Sequence, residues 1–89
     1  MAKAAIKLPI GLVGSQGPPE LECEGATLRE ALNDCIAKEP RLKSRIFRDD
    51  GDVWVGIFVN GRNMRQLAGL DTELADGDVI KLVPPISGG

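Results

Sequence analysis

The chain closes on Ala75-Asp76-Gly77-Asp78-Val79-Ile80-Lys81-Leu82-Val83-Pro84-Pro85-Ile86-Ser87-Gly88-Gly89, and this stretch reads as four pieces in series. Asp76-Gly77-Asp78 is a turn. Val79–Val83 is a strand, and Lys81 fixes its faces: Ile80 and Leu82 point to a core, while Val79, Lys81 and Val83 point outward. Pro84 and Pro85 carry no backbone N–H and so end any ladder. The last four residues, 86–89, have little reason to fold. The reading is therefore a domain over residues 1–85 and a flexible Gly-Gly tail over 86–89.

Working back from that strand, Val53-Trp54-Val55-Gly56-Ile57-Phe58-Val59 is apolar on both faces and reads as a central strand. If Ile57 and Val59 face the core, Trp54 and Phe58 face outward. Asn60-Gly61 is a tight-turn pair, since both residues tolerate positive φ. A short strand around Arg62-Asn63-Met64 follows, and residues 66–74 are a connection. Asp49-Asp50-Gly51-Asp52 is a turn, and it lacks the ligand spacing and closing glutamate of a calcium loop.

The first half supplies one helix and two strands. Thr27-Leu28-Arg29-Glu30 is a capping box, in which the Thr27 hydroxyl takes the Glu30 amide and the Glu30 side chain reaches back to Thr27. Leu28, Ala31, Leu32, Cys35 and Ile36 then repeat at helical spacing, and Pro40 stops the helix near Lys38-Glu39. Leu42 and Ile46, four apart, suit a further helical turn. Near the N-terminus Ile6, Leu8, Ile10 and Leu12 alternate with Lys7, Pro9 and Gly11, which predicts a strand buried on one face. Pro9 implies an edge position or a strand end. In Glu20-Leu21-Glu22-Cys23-Glu24, Leu21 and Cys23 point one way and three glutamates the other. This is a second strand, antiparallel to the first because the connection is short. The order predicts an α+β domain: a mixed sheet of four to five strands under one main helix, with the first and last strands side by side.

Composition narrows the function classes. The 89 residues suffice for one domain, and 43% apolar with 27% charged residues is an ordinary globular mixture. A net charge of −2, from 11 basic and 13 acidic residues, argues against a nucleic-acid partner. No apolar run is long enough to span a membrane, and no signal peptide is visible, so no membrane partner and a cytoplasmic location are expected. The absence of histidine removes Ser-His and Cys-His catalysis and any His-containing metal site. Cys23 and Cys35 are expected to be free, buried thiols. Neither catalytic residues nor a metal site are expected in this chain.

The order of elements and the free Gly-Gly end together resemble the β-grasp fold of ubiquitin-like proteins, and more closely the bacterial and archaeal sulfur carriers of MoaD/ThiS type. That family includes the small subunit of molybdopterin synthase and the thiamine-pathway and cysteine-pathway carriers. The matching residues are Phe58-Val59-Asn60-Gly61, Leu70-Asp71-Thr72 and Ala75-Asp76-Gly77-Asp78, followed by Leu82 to Gly89. The resemblance is best from about Arg45 onward; before that it is one of pattern.

The resemblance implies a chemistry. A C-terminal carboxylate, with a pKa of about 3.5, is ionised at neutral pH and is a poor electrophile. A ubiquitin-activating-type adenylyltransferase is expected to adenylate Gly89, consuming ATP, with no cofactor bound to this chain. A sulfur donor enzyme then displaces AMP to leave a thiocarboxylate, which a sulfur-accepting biosynthetic enzyme uses. Gly88, Ser87 and Ile86 are expected to enter the partner's channel, where residues without Cβ fit best. Phe58, Val83 and Trp54 are expected to form an apolar docking patch beside the tail. The expected role is a carrier for cysteine or thio-metabolite synthesis. The alternatives are the small subunit of molybdopterin synthase and a ubiquitin-like modifier of lysines.

Overall fold

The computed structural model describes residues 1–14 and 17–84. Five strands form one sheet in the order β2-β1-β5-β3-β4, and the main helix lies against one face. The strands are β1 (Ala2–Lys7), β2 (Glu20–Gly25), β3 (Gly56–Val59), β4 (Arg62–Asn63) and β5 (Val79–Val83). The helices are a single turn α1 (Ile10–Val13), the main helix α2 (Leu28–Lys38) and a short α3 (Lys43–Ile46). The fold is the ubiquitin-like β-grasp, with the first and last strands adjacent and parallel, pairing Ile6 with Ile80.

Alternation builds the core from both halves of the chain. Ile6 of β1, Ile57 of β3 and Ile80 and Leu82 of β5 meet Leu28 and Leu32 of α2, all at most 1% exposed. Lys81 divides the faces of β5 as its sequence predicts, with Ile80 and Leu82 inward. Leu42 and Ile46 fall on successive helical turns and are both buried. Ile36 sits at the margin, partly buried, so the apolar stripe of α2 is Leu28, Ala31, Leu32 and Cys35. The Thr27 hydroxyl accepts from the Glu30 N–H at 3.3 Å. The return arm of the box differs: the Glu30 carboxylate accepts from the Ala26 N–H at 3.0 Å, one residue earlier than Thr27.

Two strand boundaries differ from the sequence expectation. The first strand starts earlier and ends at Lys7, and Ile10 opens α1 with 71% of its surface exposed. Pro9 is the physical reason: lacking an N–H, it stops the ladder and caps a helical turn instead. The alternation of Ile10 and Leu12 is that of a tight turn that exposes Ile10 and buries Leu12. β1 itself lies inside the sheet, so Pro9 marks a strand end and not an edge. In the other case, only Gly56–Val59 of the apolar run 53–59 is a regular strand. Val53 instead bridges Phe47, and the central position of the sheet belongs to β5.

Gly25 explains how α2 approaches β2 so closely. A Cβ at this buried glycine would lie 2.5 Å from the Ala31 amide nitrogen and 2.7 Å from Glu30 Cβ. The strand therefore ends directly on the first turn of the helix. The connection 66–74 is held to that same turn. The Thr72 carbonyl accepts from the Leu28 N–H at 2.9 Å, while the Thr72 hydroxyl accepts from Ala68 N–H and donates to the Gly69 carbonyl.

Candidate functional site

The face of the sheet opposite α2 carries a concavity of about 730 Å³ lined by Phe58, Asn60, Gly61, Val79, Lys81 and Val83. Its geometry follows from the antiparallel pairing of β3 with β5, which sets Phe58 opposite Lys81 and Gly56 opposite Val83. Phe58 and Val83 are both half-buried, and Val79 is exposed. Gly56 lies between the Phe58 and Val83 side chains: a Cβ there would stand in ordinary van der Waals contact, 3.6 Å from Val83 Cβ and 3.7 Å from Phe58 Cε1.

One wall of the concavity is fixed by Asn60. It adopts φ 51, and Gly61 follows with φ 85, which closes the turn between β3 and β4. Its side chain then reaches across to β5. The Asn60 amide donates to Asp78 Oδ1 at 2.9 Å, and its carbonyl oxygen accepts from the Val79 N–H at 2.9 Å. The Asp78 carboxylate also accepts from the Ala75 N–H, and Asp76 accepts from the Lys3 N–H at 2.8 Å. The start of β5 is thereby tied to both β1 and β3.

The far end of β5 leads to the expected tail. Pro84 lies over α1, where a Cβ on Gly11 would be 3.4 Å from Pro84 Cγ. α1 is itself held by Arg45 of α3, whose guanidinium donates to the Leu12 carbonyl. The expected tail residues Ile86, Ser87, Gly88 and Gly89 lie outside the described residues, as does Pro85.

The three expected docking residues divide. Phe58 and Val83 line one concavity, whereas Trp54 does not. It precedes β3, is 50% exposed, and stacks under Arg48, whose guanidinium carbon is 4.6 Å from the ring centroid. The break in the strand at residues 53–55 is the cause: without continuous pairing, the outward side chains of 54 and 58 no longer share a face. Asn60 lines the concavity and is a residue that a search for apolar or reactive side chains passes over. Among the described residues no group of three or more His, Cys, Asp or Glu is placed to hold a metal ion. No described helix is long and apolar enough to cross a membrane.

Comparison with known proteins covers the tail as well. The family model described as "ThiS family" matches residues 14–89. A protein of Archaeoglobus fulgidus named as a sulfur carrier is 33% identical over 87 residues, covering 96% of this chain and 99% of that one. The solution structure of small archaeal modifier protein 1 from Methanosarcina acetivorans superposes with a TM-score of 0.86 at 36% identity, covering 100% and 98% of the two chains. The crystal structure of the BexX/CysO complex of Amycolatopsis orientalis superposes with a TM-score of 0.83 at 26% identity, covering 97% and 99%.

Proposed function

We propose, on the premise that this chain belongs to the ThiS family of small sulfur carriers, that Gly89 is adenylated by a partner enzyme and then converted to a thiocarboxylate that donates sulfur in biosynthesis. The carboxylate oxygen of Gly89 attacks the α-phosphorus of ATP and pyrophosphate leaves. A sulfur nucleophile from a donor enzyme then displaces AMP from the acyl carbon. The protein contributes no acid or base to either step; it delivers the terminus and is recognised.

The observation that supports this most is the anchored root of β5. The strand is pinned at its start by Asn60 and Asp78, and Pro84 rests on α1 at its end. Residues 85–89 are then the part that would enter a partner's channel, and a fixed root limits the entropy lost on insertion. Phe58 and Val83 lie beside that root on the same strand pair, and we assign them to docking of the adenylating and accepting enzymes. The likeness to the CysO component of a two-protein complex supports an enzyme partner and a cysteine or thio-metabolite pathway.

The test is intact mass after incubation with ATP, a sulfide source and a cognate adenylating enzyme. Replacement of one oxygen by sulfur at Gly89 is the expected result. An unchanged mass on a chain that the enzyme binds would reject the thiocarboxylate step. A second reading, attachment of Gly89 to lysines of other proteins, is supported by the 36% identity to small archaeal modifier protein 1. Isopeptide-linked Gly-Gly remnants on other proteins of the cell are its readout.

A further inference from the structure

We propose that Cys23 and Cys35 are a reversible disulfide site that fastens β2 to α2, with the Asp34–Lys38 ion pair as its gate. The two are the only cysteines of the chain, and both are free thiols with 0% exposure. They sit on facing elements, β2 and α2, within one buried core cluster.

The backbone on either side of Cys23 fixes this arrangement. The Glu24 N–H donates to Asp34 Oδ2 at 2.8 Å, and the Lys38 ammonium donates to the Glu22 carbonyl. Asp34 and Lys38, one helical turn apart, are themselves paired at 3.3 Å. Residues 22 and 24 are thus clipped to residues 38 and 34, and Cys23 between them is aimed at the inner face of α2, where Cys35 stands. β2 is an outer strand, so no further strand covers this seam. The side chains that close it are solvent-accessible, at 33% for Asp34 and 46% for Lys38. Opening the seam therefore requires release of the ion pair and its two backbone hydrogen bonds, and leaves the β1–β5–β3 core paired.

The two thiols are unequal. The neighbouring Cys35 holds Cys23 below the ordinary thiol range against the opposing effect of burial, and Lys38 adds to the lowering. Cys23 in turn, together with burial, pushes Cys35 up. Cys23 is the first nucleophile, and hydrogen peroxide is an oxidant small enough for an opened seam. The Cys23 thiolate attacks one peroxide oxygen, the O–O bond breaks, and the other oxygen leaves as hydroxide and is protonated to water. The Cys35 sulfur then attacks the sulfenic sulfur of Cys23, and the S–O bond breaks with loss of a second water. Two thiols and one peroxide give one disulfide and two waters, a balanced two-electron exchange that a small thiol reverses.

The experiment treats the whole chain with hydrogen peroxide and follows it by intact mass and non-reducing peptide mapping. Expected are loss of two hydrogens, a Cys23–Cys35 linked peptide, and full return on addition of dithiothreitol. Asp34→Ala and Lys38→Met should each oxidise about tenfold faster, because each removes a charge-assisted hydrogen bond from the gate. In Cys35→Ala the sulfenic acid on Cys23 should be trapped by dimedone. Stepwise oxygen addition to either cysteine without the linked peptide would overturn the proposal. So would links only between two chains, or thiols that stay unmodified under conditions that oxidise the unfolded chain. Equal rates in wild type and both gate variants would overturn the assignment of the gate.

Discussion

At the scale of single residues, Gly25 and Asp34 make separate predictions. Gly25→Ala places a methyl carbon 2.5 Å from the Ala31 nitrogen, a contact that only backbone movement relieves. We expect a loss of about 1–3 kcal/mol, the usual range for overpacking, read by urea denaturation. Asp34 carries the pH dependence of the β2–α2 seam. The Glu24 N–H it accepts, with Lys38, holds its carboxyl below the usual carboxylate range. A depressed folded-state pKa contributes stability above the unfolded-state value, and this is lost as the pH falls through the folded-state value. Asp34→Ala should therefore flatten the acid limb of Tm against pH below about pH 4. Lys38 is the mirror case: burial opposes its charge, but Asp34 outweighs that and raises it. Its contribution is present below the unfolded lysine value and is lost as the pH rises through the raised one. These effects were only partly legible in the sequence. The buried thiols followed from residue type, but no pattern links Asp34 to a main-chain amide ten positions away. Gly25 looks like any loop glycine until the helix is set against it.

At the scale of elements, the helix was readable because its signals are local. The Thr27 cap, the apolar stripe and Pro40 all act within a few residues, and α2 begins and ends where they require. Thr27→Ala should cost about 1 kcal/mol, the usual value of an N-cap, measured by thermal melting. The first strand was less legible because alternation continues through Pro9 into Ile10 and Leu12, and the missing N–H decides the boundary. The face that carries Phe58 and Val83 was half legible. Lys81 gave the facing of β5 and hence of Val83, whereas Trp54 does not line the same concavity because pairing begins only at Gly56. The turn at Asn60 can be dissected by two substitutions. Asn60→Gly keeps the positive φ but loses two side-chain hydrogen bonds, and should cost about 1–2 kcal/mol. Asn60→Ala adds left-handed strain and should cost roughly 1 kcal/mol more by the same denaturation measurement. Phe58→Ala should weaken binding of the adenylating enzyme by tenfold or more, read by calorimetry, as an aromatic anchor at an interface does.

At the scale of the whole molecule, the core and the proposed reactive end occupy different stretches of chain. Among the described residues every core residue lies between Ala4 and Leu82, so removing Gly88 and Gly89 should leave Tm unchanged while abolishing mass gain on activation. A fall of more than a few degrees would show that the terminus packs on the domain. The global topology was legible because the β5 pattern, the single helix and the position of the prolines admit few arrangements. The parallel pairing of β1 with β5 has a consequence for biosynthesis. β1 is made before the other strands of the sheet, yet the neighbour on its inner side, β5, follows all of them, so the central ladder closes only once residue 83 has left the ribosome. A chain interrupted before Val79 lacks the concavity between Phe58 and Val83 and a complete core, and it presents unpaired strand edges to quality-control proteases. A native fold thus certifies to any partner that translation has run at least as far as the last strand.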